Sequence, residues 1–147
     1  MEKVAVVTGS SSGIGFETSL ALARDGYFTY ATMRDVKKAA EMQKITDEES
    51  LPLKIIELDV DNEESAENAI NTIIQEKNRI DVLVNNAGWG IWGTGEDGSI
   101  EEFKAQFETN FFSVVRMIQK VAPTMRKQGS GNIVNISSVA GLSLIHI

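Results

Sequence analysis

The chain has 147 residues, enough for one domain with a sizeable core and too few to argue for two. Its 14 basic and 21 acidic residues give a net charge of -7 with no Lys/Arg block, which excludes a phosphate-tracking stripe for DNA or RNA. Zero cysteines exclude disulfides and thiolate metal sites, no other metal site is expected, and the run after Met1-Glu2-Lys3 is far too short for a secretory core or a membrane span, so a soluble cytoplasmic protein is the expectation.

Short apolar, β-branched runs alternate with longer amphipathic ones, which predicts an α/β fold: a doubly wound parallel sheet with helices on both faces. Val4-Ala5-Val6-Val7 reads as the first strand. It leads into Thr8-Gly9-Ser10-Ser11-Ser12-Gly13-Ile14-Gly15, whose glycines allow a sharp turn and close approach to a ligand. Residues 15–25 then read as a helix whose N-terminus would face a phosphate, with Gly26 after its end. A second strand is expected at 27–32, a second helix at 36–44 and a third strand at 53–58, completing one mononucleotide-binding half. Asp61 and Glu64 have the spacing of an N-cap with its reciprocal acid, and Ala66, Ala69, Ile70, Ile73 and Ile74 share one helical face. Residues 80–84 form strand four. The Gly88 to Gly98 stretch reads as a loop, in which Trp89 and Trp92 either wall an apolar pocket or pack as loop aromatics. Ser99 and Glu102 repeat the capping-box spacing before a long helix expected to turn Phe103, Phe107, Phe111, Val114 and Val115 toward a core and to kink at Pro123. Gly129-Ser130-Gly131 ends that helix, and residues 133–136 form strand five.

Five motifs stand in order along this pattern: Thr8-Gly9 with Gly13-Ile14-Gly15, Leu58-Asp59-Val60, Asn85-Asn86-Ala87-Gly88, Asn110, and Asn132-Ile133-Val134-Asn135-Ile136-Ser137-Ser138. With them the chain resembles the short-chain dehydrogenase/reductase family over residues 3–141. The resemblance implies a Rossmann-type domain, cut off after about five strands, and an NAD(P)-dependent interconversion of a small-molecule alcohol and a carbonyl compound. It places Gly9, Ser11, Ser12, Gly13, Ile14 and Gly15 at the cofactor pyrophosphate turn, Asp59 and Val60 at the adenine, and Asn86, Ala87 and Gly88 near the cofactor ribose. A surface Asp capping the next helix is the alternative reading of Asp59. The resemblance makes Ser138 the hydrogen-bond partner of the substrate carbonyl or hydroxyl, with Ser137 as the alternative should the register slip by one. It gives Asn110 a place in a proton relay and a local helix distortion; a satisfied core amide is the competing reading. A Tyr and a Lys four residues later are expected roughly a dozen residues past Ser138, where the Lys lowers the pKa of the Tyr base. The polypeptide stops first, so it is expected to be inactive and poorly folded by itself. The full-length protein is expected to be a homo-oligomer.

Cofactor choice is read at the end of strand two, where an acid selects NAD and an Arg attracts the NADP 2′-phosphate. Met33 occupies the selecting position with Arg34 beside it, which favours NADP; Asp35 keeps NAD open. The segment Tyr30-Ala31-Thr32-Met33-Arg34 resembles the hydroxysteroid and retinol branch of the family more than its acyl-carrier reductases. A non-catalytic dinucleotide-binding or redox-sensing module is the alternative, and a structural protein a more distant one. Finally, Leu142-Ser143-Leu144-Ile145-His146-Ile147 match, six for six, a translated transposase adapter end from sequencing libraries. Residues 142–147 are therefore expected to be a non-native tail after a partial Rossmann domain at 1–141. His146, the only histidine, is given no role.

Overall fold

In the computed structural model, which describes residues 2–138, the most apolar strand lies at the centre of the sheet. Val4–Val7 (β1) is 0% exposed along its whole length, as a parallel strand covered on both faces must be. Phe28–Met33 (β2) and Leu53–Glu57 (β3) follow on one side of it, Val82–Asn85 (β4) and Asn132–Asn135 (β5) on the other. All four pairings are parallel, and the order is β3-β2-β1-β4-β5. The winding direction therefore reverses between β1 and β4, the point where an open α/β sheet leaves a crevice at its C-terminal edge.

Helices cover both faces. Gly13–Arg24 (α1) and Ala40–Glu49 (α2) place Leu20, Ala23 and Met42 against Ala31 and Met33 of β2. Glu63–Lys77 (α3) and Ser113–Gln128 (α5) place Ala66, Ile70, Ile73, Met117 and Val121 against Val4, Val6, Tyr30 and Leu83 on the other face. Strand residues alternate between the two layers, as the period of two requires. Ile100–Phe107 (α4) precedes α5, and its Ser99–Glu102 capping box forms in full.

Several sequence expectations need correction. The second helix is not one α-helix over 36–44: Val36–Ala39 is a 3₁₀ turn and α2 continues to Glu49. Met42 is buried and Ile45 packs on the α1–β2 layer, which anchors the helix beyond its expected end. The cap of α3 is Asn62, whose carbonyl accepts the Ser65 amide at 2.9 Å, and not Asp61. Phe107, Phe111 and Phe112 do not reach a core and are 60%, 54% and 52% exposed. Val115, also expected in the core, is 37% exposed; the face that packs inward carries Thr109, within a π turn at Glu108–Phe112, and then Ser113, Met117, Val121 and Met125, spaced by four residues, which turns Phe111 and Val115 away from the sheet. Pro123 lies inside α5 and Gly129 caps that helix after Gln128, as expected. The expectations for residues 139–147, including the tail and His146, lie outside the described residues.

One carboxylate aligns the sheet at the end opposite the crevice. Asp81 Oδ2 accepts the Val4 amide at 2.8 Å and Arg79 Nε at 2.8 Å, while Oδ1 takes Arg79 Nη2 at 2.5 Å. Its own amide donates to the Val4 carbonyl at 2.8 Å and its carbonyl accepts the Asn132 amide at 2.8 Å, so one residue binds β1, β4 and β5 together. The Arg79 guanidinium, helped by the Val4 N–H, holds the Asp81 carboxyl below its ordinary value.

Candidate functional site

A cleft of about 900 Å³ opens at the crevice, at the upper end of the range usual for small-molecule sites. Its floor is the turn between β1 and α1. Gly9 has φ +69°, and a Cβ there would lie 2.8 Å from the Ala87 Cα. At Gly15 a Cβ would fall on Asn86 Nδ2 and the Gly9 carbonyl. These two glycines are thus required by the close approach of the turn to the loop after β4. Thr8 joins the same two segments: its hydroxyl oxygen accepts the amides of Asn86 and Ala87, each at 3.0 Å. Asn86 Nδ2 returns bonds to the carbonyls of Thr8 and Gly9 at 3.0 and 3.2 Å. Helix α1 starts with no side-chain cap bond from Ser12 and no acid in its first turn. Its N-terminal N–H groups are left for an anion beside Ser11, Ser12 and Ile14, which line the cleft.

The wall after β2 carries Met33, Arg34, Asp35 and Lys38. Met33 is buried, whereas Arg34 and Lys38 are exposed. Asp35 is engaged in capping the 3₁₀ turn, with Oδ1 accepting the Lys37 amide at 3.0 Å. Beyond β3, Leu58, Val60 and Asp61 line the cleft and Asp59 does not. The Asp59 Oδ1 accepts the Asp61 amide at 3.1 Å and its N–H donates to Ser65 Oγ at 2.9 Å, so this carboxylate shapes the loop and does not cap α3.

The third wall is the π turn facing the loop after β4. Asn110 sits within it and is exposed, which rules out a buried core amide. Its Oδ1 accepts the Trp89 amide at 3.0 Å and its Nδ2 donates to the Trp89 carbonyl at 2.7 Å. Trp89 Nε1 donates to Thr109 Oγ1 at 3.1 Å, and that hydroxyl donates to Asp61 Oδ2 at 2.7 Å. Trp89 is therefore held at backbone and ring and lines the cleft, while Trp92 is 96% exposed. Ile136, Ser137 and Ser138 complete the lining. Strand alternation cannot separate the two serines, because β5 ends at Asn135.

The cleft thus gathers Gly9, Ser11, Ser12, Ile14, Arg34, Val60, Asn86, Ala87, Gly88, Asn110 and Ser138, while Gly13, Gly15 and Asp59 support it from outside the lining. Sequence reasoning missed Lys38, Asp61 and Thr109. Lys38 follows Arg34 by four residues, and the sequence signal that could have found it is the cluster Arg34, Lys37 and Lys38 just after the second strand. The donor set suits a dinucleotide: an uncapped helix N-terminus and hydroxyls for a pyrophosphate, cations for a further phosphate, and apolar lining at Leu58 and Val60 beyond β3.

The family model described as short chain dehydrogenase matches residues 3–146. The chain is 40% identical over 140 residues to a 3-ketodihydrosphingosine reductase of Bacteroides thetaiotaomicron, covering 95% of this chain and 48% of that protein. It is 39% identical to retinol dehydrogenase 8 of Bos taurus, covering 95% and 46%. Among solved structures, a metagenomic short-chain oxidoreductase in complex with NADP superposes with a TM-score of 0.88 at 31% identity, over 95% of this chain and 62% of that one. The chain spans about half the length of the curated relatives it matches.

Proposed function

The chain belongs to the short chain dehydrogenase family, and on that basis we propose that the full protein is an NADP-preferring oxidoreductase interconverting an alcohol and a ketone or aldehyde. The observation that carries this reading is a single cleft lined both by Arg34 and Lys38 and by Asn110 and Ser138. NADP(H), when bound, supplies or accepts the hydride. The residues of this chain bind and orient. The first turn of α1 with Ser11 and Ser12 would hold the pyrophosphate, Val60 would pack on the adenine, and Asn86 to Gly88 would border the ribose. Ser138 would donate a hydrogen bond to the substrate carbonyl oxygen, and Asn110 would hold the path along which a proton arrives. A redox-sensing module without chemistry would need the first set and not the second.

NADP is favoured over NAD because two cations border the cleft after β2, no acid occupies position 33, and the Asp35 carboxylate is committed to the Lys37 amide. Arg34→Ala in the full-length protein should weaken NADP(H) binding about tenfold or more and leave NAD(H) nearly unchanged, the loss of one charge-assisted contact. Calorimetric titration with both cofactors measures it; equal affinities in the parent would refute the assignment.

The substrate is proposed to be an apolar alcohol or carbonyl compound, with Trp89 against it. This draws on the relatives named for retinol and a ketosphingolipid, and on the resemblance to the hydroxysteroid and retinol branch. No helix among the described residues is long and apolar enough to cross a membrane, and a cytoplasmic location belongs to the proposal. So does homo-oligomerisation through the groove lined by Ile100, Phe103, Phe107 and Phe112, where Lys104 and Glu108 stand one turn apart and could pair with their counterparts in a second copy. Phe107→Glu should shift the full-length protein toward smaller species in sedimentation velocity, at unchanged secondary structure.

A further inference from the structure

Arg116 lies outside the cleft, yet it bonds to three of the segments that shape it. The side chain is 17% exposed. Nη1 donates to the Val60 carbonyl at 2.6 Å, Nε to Glu63 Oε2 at 2.8 Å and Nη2 to Glu108 Oε1 at 2.5 Å. Val60 is a cleft wall, Glu63 opens α3, and Glu108 is the first residue of the π turn. A π turn carries one residue more than the helix around it needs, and such turns persist where outside contacts hold them. Here the polar outside contacts are specific: Arg116 on Glu108, Asp61 and the Trp89 ring on Thr109, and the Trp89 backbone on Asn110.

We infer that Arg116 is a positioning residue, which fixes the π turn, and through it the Asn110 amide and Trp89, against the wall formed by Val60. The catalytic half of the inference rests on the proposed function of Asn110; the structural half does not. Three simultaneous partners call for a planar fork of donors, which a guanidinium has and an ammonium lacks. The bond to Glu63 is duplicated, because Lys120 Nζ donates to the same carboxylate at 2.6 Å. Removing Arg116 therefore leaves Glu63 with a cation and deprives the Val60 carbonyl and Glu108 of their donor. The effect should fall on the π turn and the β3–α3 loop, not on the packing of α3 against α5.

The test compares Arg116→Met, Arg116→Lys, Glu108→Gln and Asn110→Ala in the full-length protein, by amide hydrogen exchange with mass spectrometry and by steady-state kinetics. In Arg116→Met, exchange across residues 86–93 and 108–113 should accelerate about tenfold or more, with residues 4–7 unchanged, as expected for loss of a local coupling. kcat should fall about tenfold at an NADP(H) affinity within about twofold of the parent, the signature of lost positioning. Lys should restore part of both, and Glu108→Gln should reproduce them in milder form. Unchanged exchange at 86–93, or acceleration extending equally to 4–7, would overturn the inference. Should Asn110→Ala keep the parental kcat, the functional reading of Asn110 fails and exchange alone judges Arg116. Should Asn110→Ala abolish turnover while Arg116→Met leaves it intact, positioning fails and the functional reading stands.

Discussion

Ser138→Ala in the full-length protein is expected to lower kcat by about 10²–10³-fold, the usual cost of removing one donor aimed at a developing oxyanion, with cofactor affinity preserved. The expectation follows from placement. Ser138 lines the cleft beside Ile136 and Asn110, away from the Arg34 and Lys38 wall that would take a phosphate. A donor that acts on the substrate oxygen contributes to the transition state and not to cofactor binding, so kcat and kcat/KM should fall together. Ser137 lines the same cleft, so Ser137→Ala is the necessary control. Comparable turnover in Ser138→Ala with collapse in Ser137→Ala would exchange their roles; parental turnover in both would refute the proposed chemistry.

Asp81→Ala should destabilise the full-length protein by about 1–3 kcal/mol, the cost of leaving the buried Val4 amide without its acceptor. The substitution strands the Arg79 guanidinium and the Val4 amide, the first backbone donor of the central strand. Asp81→Asn keeps an acceptor for Val4 and should lose less. Urea denaturation at constant slope measures both. The pH dependence has a definite sign. The folded-state pKa of Asp81 lies below its ordinary value of 3.8, so its contribution is fully present above about pH 4 and is lost as pH falls through the lower folded value. Parent and Asp81→Ala stabilities should therefore converge in acid. A gap that persists unchanged to the lowest pH at which the parent folds would show that the carboxylate charge is not what Asp81 contributes.

The parallel sheet and the phosphate turn were legible because both are written locally. Apolar runs of four to six residues mark the strands, and Gly9 and Gly15 mark places where backbone meets backbone. The cap of α3 was misplaced by one residue because Asp61 and Asn62 are both good caps, and only the Ser65 amide, reached by Asn62, decides between them. The Phe107 and Phe111 error has a different origin. Two apolar stripes run along this segment, one with Phe103, Phe107, Phe111 and Val115 and one with Met117, Val121 and Met125, and periodicity alone does not say which of them meets the sheet. The site residues that were missed are those whose partners lie far along the chain. Arg116 reads as one more charge on a helix until its partners Val60 and Glu63 arrive from more than fifty positions away.

The Thr8 and Asn86 clasp has a consequence for how such a cleft changes over evolutionary time. The floor is already cross-braced by four hydrogen bonds between two strand ends, so ligand binding need not order it, and little conformational entropy is lost there. Arg34, two residues before the 3₁₀ turn, and Lys38, within it, are by contrast exposed side chains, and substitutions at such positions usually alter stability by no more than about 0.5 kcal/mol. If Arg34 and Lys38 take the additional phosphate as proposed, that discrimination is stored where mutation is nearly free of folding cost, and the proposed pyrophosphate grip where mutation is not. On the proposed assignment, a lineage carrying this turn would lose or gain its grip on the additional phosphate by substitution at these two surface positions, while the floor beneath stays unchanged.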